Sequence, residues 1–411
     1  MKRYKMTITI LSPVHIGSGQ DIDPTEYVVK NGIFYRIDLP RFLSEMPPAL
    51  RAEFDRRVSD PNPFVIRDFI CRHVDPEKYA CFRADAGAFE SEYKNSLSDR
   101  NRQMEVSLFT RTPGTWRAYI PGSSIKGAIR TAVINTLAQE KKESLKQKKQ
   151  EAVEKAKERT ERIIEKLKQK NKKYDEKKIY QEQLQKAYEE FGKTQLEPLC
   201  LKQYKFNPQT DPFRCVKISD AMLPEEMPTF IDKAEIFKLK KTAGADPSKI
   251  QMFYEQCFSM LDKEDDNDED IRAEGTLDID DQLPEKSFFD NREGKKIPAV
   301  SMKLDAYMIL KACRAFYQPK MQQEHDKFYR SSSELEQNSQ KLLDLLNKCN
   351  DNEFPLRIGR FSHVECTTVD EFREPYNPRG WGNSRTLSGG TMPMGWVKVR
   401  LEPEKDEKQR A

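Results

Sequence analysis

The apolar positions of the first forty residues alternate. Tyr4, Met6, Ile8 and Ile10 fall on one face of residues 1–10, and Tyr27-Val28-Val29 and Ile33-Phe34-Tyr35 flank Lys30-Asn31-Gly32. A period of two predicts strands, and an asparagine-glycine pair between two such runs predicts a hairpin, since both residues tolerate positive φ. Residues 13–19 (PVHIGSG) then read as a glycine loop leaving the first strand. Residues 39–97 form a mixed, mostly helical region punctuated by Pro47-Pro48, Pro61 and Pro63. Residues 116–120 read as extended. After them Ile125, Ile129, Val133 and Leu137 recur at helical spacing, so Pro121-Gly122-Ser123-Ser124 opens a helix that Ser123 or Ser124 can cap.

From 139 to 193 the composition turns to Lys, Glu and Gln, with Leu145, Val153, Ala156, Ile163, Leu167 and Tyr174 as a thin apolar stripe. One long helix or a helical hairpin bent near 171–175 fits this pattern. A solvated insertion with interleaved charge is preferred to an RNA-binding arm, with a partner-docking coil as an alternative. Strands resume at 215–219 and 229–239. Residues 262–270 (DKEDDNDED) lack the glycine and spaced glutamate of a calcium loop and read as an acidic surface loop. Helices are predicted over 300–329, where Leu304, Met308, Ala312, Ala315 and Phe316 share a side, and over 333–349. Strands and glycine loops return at 356–368, 377–386, Gly389-Gly390 and 394–401. Strands at both ends, with helices between and no regular alternation, predict an α+β fold rather than a doubly wound sheet. A chain of 411 residues exceeds what one core serves. Two domains are expected, 1–245 with the charged helical insertion 139–193, and 246–411, with a soft boundary near 243–247.

Composition narrows the function classes only slightly. Lys and Arg number 71 against 67 Asp and Glu, so the net charge of +4 diagnoses no partner and distribution must decide. Charged residues make up 34% and mean hydropathy is -0.83, but 10% aromatics and the alternating stretches argue for a soluble globular chain. No apolar run spans a bilayer, and residues 1–10 read as a strand rather than a secretory signal, so a cytoplasmic location is expected. The eight cysteines are scattered without a CxxC pair, the habit of reduced thiols. Cys71, His73 and Cys81 lack a fourth ligand at a usual spacing, and no metal or cofactor is expected.

Three glycine-bearing segments carry the chemistry: 13–19, 121–128 (PGSSIKGA), and 357–361 (RIGRF) with 379–385 (RGWGNSR). Glycine lets successive amides converge on an anion, and a helix N-terminus adds partial positive charge. In the second segment Lys126 and Arg130 add whole charges, a combination that suits phosphate. Gly122 and Gly127 have the GxxxxG spacing of a P-loop, but Ala128 and Ile129 stand where its lysine and hydroxyl belong, which removes nucleotide hydrolysis. A plain helix-starting turn is the alternative for one loop; repetition of such loops beside Lys, Arg or His argues against it. Trp381 and Trp396 either offer stacking surfaces for bases or serve a core.

At these residues the sequence resembles the RAMP superfamily of CRISPR proteins, and within it the family of the fifth Csm subunit of type III-A effector complexes. The likeness rests on residues 13–19, on residues 119–132 (YIPGSSIKGAIRTA), on residues 393–398 (PMGWVK) and on Ser219-Asp220-Ala221, with 119–132 the specific part. The chain departs from the family's pattern at Ser388-Gly389-Gly390. The resemblance implies two ferredoxin-like (RRM-related) domains in a CRISPR ribonucleoprotein of antiviral defense. It implies a non-catalytic subunit that binds CRISPR RNA on its 3′-end side and supports its maturation. Other Csm backbone and small helical subunits, and host ribonucleases, would be its partners. RNA-facing residues would be His15, Gly17, Ser18 and Gly19; Gly122, Ser123, Ser124, Lys126, Gly127 and Arg130; and Arg357, Gly359, Arg360 and Arg385.

Two alternatives stay open. His15, at the mouth of the first loop, is placed to act as general base on a ribose 2′-hydroxyl in metal-independent cleavage of CRISPR RNA. Asp21 and Asp23 could hold magnesium, although acids after a glycine loop are more often turn formers. The second alternative is an assembly scaffold docking partners through helix 139–193.

Overall fold

The computed structural model describes residues 1–60, 62, 64–96, 103–170, 173–203, 207–238, 252–262, 271–290, 294–330, 332–370, 372 and 382–404. The alternation at the start is realised as strand Lys2–Ile10, with Met6, Ile8 and Ile10 fully buried. That strand lies antiparallel between Arg272–Ile279 and Trp396–Pro403, so Met6 faces Gly275 on one side and Leu401 on the other. The sheet continues outward to Glu353–Arg357 past the last strand, and to Ala221–Met222 and Tyr119–Ile120 past the other; Val216–Ile218 also pairs with Arg272–Ile279. Helices Gly122–Glu140 and Ala306–Glu324 pack on it and on each other, Ile125, Ile129 and Val133 meeting Ile309, Cys313 and Phe316 in one core.

A second sheet runs Gly17–Ile22, Val106–Phe109, Phe253–Cys257, Thr229–Lys238, Ala80–Asp85, Ile33–Ile37, Tyr27–Lys30. Strand Ser384–Ser388 pairs with the far half of Thr229–Lys238. Tyr27, Phe34, Phe89, Val106 and Phe253 form its core on one side, and Val28, Tyr35, Phe42 and Phe69 meet short helices on the other. The expected hairpin is present: Asn31 and Gly32 take φ of 54° and 77°, the left-handed pair that a tight two-residue turn needs.

The α+β expectation holds. Residue 245 does not divide the sheets, since each takes strands from both sides of it; the point 243–247 lies outside the described residues. Most of the acidic run 262–270 also lies outside them. Strands Ala80–Asp85, Phe253–Cys257 and Arg272–Ile279 carry weak local signals, and tertiary pairing makes them strands. The charged insertion is a helical hairpin, Lys142–Gln169 and Glu176–Phe191, whose base joins the main core through Leu145 and Phe191. The later helices are Ala306–Glu324, which continues as a π-helical turn His325–Tyr329, and Ser333–Asn347. Among the described residues no helix is long and apolar enough to cross a membrane.

Candidate nucleic-acid interface

Where the chain leaves strand Lys2–Ile10 of one sheet and enters strand Gly17–Ile22 of the other, three distant segments are tied together by their backbones. The Gly395 amide donates to Pro13 O and the Arg360 amide to His15 O, at 2.8 and 3.0 Å. Gly359 makes the second contact possible. It has φ of +88°, and a β-carbon there would stand 2.4 Å from His15 O. A side chain at 359 would therefore push the first and last glycine loops apart.

The result is a groove of about 610 Å³. Gly17, Gly19 and Asp21 form one wall, and Ser123, Ser124, Gly127 and Thr131 of the helix form another. Residues 357–360, Ser362 and Thr367 close it. The first two segments compared by sequence and residues 357–360 of the third thus meet in space; residues 379–381 lie outside the described residues, and Gly382 and Arg385 do not line the groove. Thr131, Ser362 and Thr367 were not singled out by sequence. Thr131 had a signal, since Ser124, Gly127 and Thr131 lie three to four apart on the face opposite Ile125, Ile129 and Val133. The lining is rich in hydroxyls and poor in charge. Arg360 is exposed there, over the Tyr254 ring at 5.7 Å, and has no ion pair among the described residues.

Several expected RNA contacts are committed elsewhere. The Gly122 amide donates to Asp220 Oδ1 at 2.8 Å, and a β-carbon on Gly122 would lie 2.4 Å from Ile218 O. The helix cap is thus supplied by the Ser219-Asp220-Ala221 segment; Pro121 occupies the cap position, and neither Ser123 nor Ser124 caps by its side chain. Lys126 turns away and donates to Val216 O at 2.6 Å, and burial lowers its pKa. Arg130 pairs with Glu197 and Asp211 and stacks on Phe213. Ser18 is exposed, and its hydroxyl faces Leu108 O at 3.4 Å beside the groove.

Arg357 and Arg385 are structural. Both are 1% exposed, and both meet Glu324 Oε1 at 2.6 Å; Arg385 also reaches Glu365 at 3.3 Å. Burial works against the Arg357 charge, but Glu324 prevails and raises its pKa. Glu365 accepts from the Gly382 amide at 2.8 Å, so the quartet joins the groove floor to the strand Ser384–Ser388. His363, at φ +57°, lies beside these arginines; burial, with their charge, pushes its pKa down to about 2. Trp396 is fully buried under Arg357 and serves the core rather than base stacking; Trp381 lies outside the described residues.

His15 lies beneath the groove, 1% exposed, with Nδ1 2.8 Å from Glu255 O. Burial lowers its pKa, so the ring is neutral at pH 7. Glu255 is itself fixed by Arg111, Thr229 and the Phe109 amide. Among the described residues no group of three His, Cys, Asp or Glu is arranged to hold a metal.

The family model of the RAMP superfamily matches residues 7–362. The "CRISPR system Cms protein Csm5" of Streptococcus thermophilus is 30% identical over 141 residues, 33% of this chain and 39% of that protein. Its namesake in Mycobacterium tuberculosis (strain ATCC 25618 / H37Rv) is 24% identical over 156 residues, 34% and 41% of the two lengths. The matched stretch therefore spans about two fifths of those relatives. Among solved structures, a chain of a type III-A Csm-crRNA-target RNA ternary complex superposes with a TM-score of 0.60 at 18% identity, covering 97% of this chain and 100% of that one. The crystal structure of T.onnurineus Csm5 superposes with a TM-score of 0.57 at 18% identity, covering 95% and 99%.

Proposed function

The chain belongs to the RAMP superfamily, and on that premise we propose that it is a non-catalytic CRISPR RNA-binding subunit of a type III-A effector complex. It holds the 3′-end side of the guide along the groove between the two sheets, and so supports guide maturation and complex assembly. The observation that carries this reading is the convergence of residues 17–21, 123–131 and 357–367 on one open, hydroxyl-lined groove. Glycine stands where side chains would obstruct a sugar-phosphate strand, and Arg360 supplies a cation. The proposed partners are CRISPR RNA, other Csm backbone and small helical subunits, and host ribonucleases acting on the overhanging guide.

The burial of His15 argues against its serving as a general base, because its ring is covered and one nitrogen is committed to a backbone carbonyl. The test is incubation of the purified full chain with repeat-containing RNA, with and without EDTA, alongside a binding titration. Binding without cleavage, weakened by Arg360→Ala, is the expected result. Cleavage at a defined position that disappears in His15→Ala would replace this reading with that of an endoribonuclease.

A further inference from the structure

We propose that His15 Nε2 accepts a hydrogen bond from a ribose 2′-hydroxyl of the bound strand, and that the groove thereby prefers RNA to DNA. The inference rests on the groove being the strand-binding site. Its starting point is the tautomer. Nδ1 lies 2.8 Å from Glu255 O, and a carbonyl oxygen only accepts, so the ring proton resides on Nδ1. In the neutral ring Nε2 then carries a lone pair and no hydrogen. That nitrogen is buried and has no hydrogen-bond partner. Buried acceptors without partners are uncommon in folded proteins and point to a group the protein receives.

The ring cannot turn away to find another partner. Tyr254 meets it edge-on at a centroid distance of 4.9 Å, and Phe109 and Phe361 lie at 6.4 and 6.3 Å. What separates Nε2 from the groove is Gly17. A β-carbon built on Gly17 would stand 3.1 Å from Nε2, which is hydrogen-bonding distance. An oxygen lodged in the space that this glycine leaves therefore reaches the nitrogen. Gly17 itself is exposed and lines the groove, so the approach is from the strand side.

The chemistry selects the ligand atom. Phosphate oxygens are acceptors and would be repelled by the Nε2 lone pair, so His15 is not a phosphate ligand; Arg360 is suited to that part. A 2′-hydroxyl can donate, and it is the group that distinguishes RNA from DNA along an otherwise similar backbone. His15 thus becomes a specificity residue in place of a base.

The experiment compares fluorescence anisotropy of the full chain with a single-stranded RNA, its DNA counterpart and its 2′-O-methyl form. The wild type is expected to bind RNA about five- to tenfold tighter than the other two, the worth of one net hydrogen bond. His15→Phe keeps a flat ring in the aromatic cage, and Gly17→Ala shields Nε2 without altering the ring. Both should abolish the preference, so that RNA binds no tighter than DNA. His15→Phe leaves DNA binding unchanged, whereas Gly17→Ala, at a glycine that lines the groove, is read by the RNA-to-DNA affinity ratio alone. Arg360→Ala should weaken RNA and DNA in proportion. Equal wild-type affinity for RNA and DNA, or a preference that survives both His15→Phe and Gly17→Ala, overturns the role of His15. An unaltered Arg360→Ala titration, or no binding to either strand, overturns the groove as the strand site instead.

Discussion

The two ends of helix Gly122–Glu140, about 28 Å apart, carry two very different uses of charge. At its N-terminal end the groove is framed by residues whose polar atoms already have internal obligations: Asp220 caps the helix, Lys126 and Arg130 hold neighbouring segments, and Arg357 and Arg385 share Glu324. At its C-terminal end the hairpin Lys142–Gln169 and Glu176–Phe191 displays its lysines and glutamates to water, paired along the surface as in Lys157–Glu154 and Arg162–Glu158. The lesson is that abundance of basic residues and shaping of a site are separate properties. The hairpin has the first, and the groove has the second with Arg360 as its exposed cation.

The largest break in this comparison should come from Glu324→Ala. It leaves two buried guanidinium groups short of their shared carboxylate, and removal of one partner from a buried ion pair costs about 3–5 kcal/mol. Urea unfolding should show that loss, whereas removing a surface partner such as Glu154 should leave the midpoint unchanged within error. Gly359→Ala comes next. Its positive φ alone costs roughly 1–3 kcal/mol, and the overlap with His15 O adds to this. Lower stability together with weakened RNA binding is expected; an unchanged melting curve would remove the backbone junction from the account.

A smaller effect lies in pH. His15 and His363 have folded-state pKa values lowered below 6.5 by burial, so the unfolded chain takes up protons that the folded chain refuses. Their neutral forms suit the fold fully above pH 6.5, and stability falls as pH drops below that value, by at most about 1.4 kcal/mol per pH unit per histidine. Between pH 6.5 and 5, His363→Asn, which tolerates the left-handed backbone, should flatten part of that slope. A parallel slope in wild type and variant would sink the assignment.

Arg360→Ala should leave stability within about 0.5 kcal/mol and reduce the log-log salt slope of RNA binding by about one. Lys126→Ala and Arg130→Ala should leave the slope unchanged, because their side chains serve packing. Replacing residues 148–186 with a short Gly-Ser linker, which spares Leu145 and Phe191, should cost little stability for so large a change. The rest of the chain should melt within a few degrees of its original midpoint.

Much of this protein was legible from local pattern. The period of two in residues 1–10, the asparagine-glycine turn, the helix after Pro121 and the charged hairpin all depend on neighbours a few positions away, and each stands close to where the pattern placed it. So was the choice of glycine segments, since a glycine that must accept a positive φ or a close backbone contact is visible as a residue type. The direction of each side chain was not legible. Lys126 and Arg130 are cations in sequence, but whether they face a ligand or a carbonyl depends on Val216, Glu197 and Asp211. Strand Arg272–Ile279, with its glutamate, glycine and aspartate, is a strand because it pairs with Lys2–Ile10 from the far end of the chain. The sequence by itself determined the elements and the loops capable of approaching a backbone. Only the tertiary structure decided that those loops share one groove, which charges were consumed in building it, and that His15 lies beneath it with an acceptor unmet, because pairings across hundreds of residues leave no local periodicity to read.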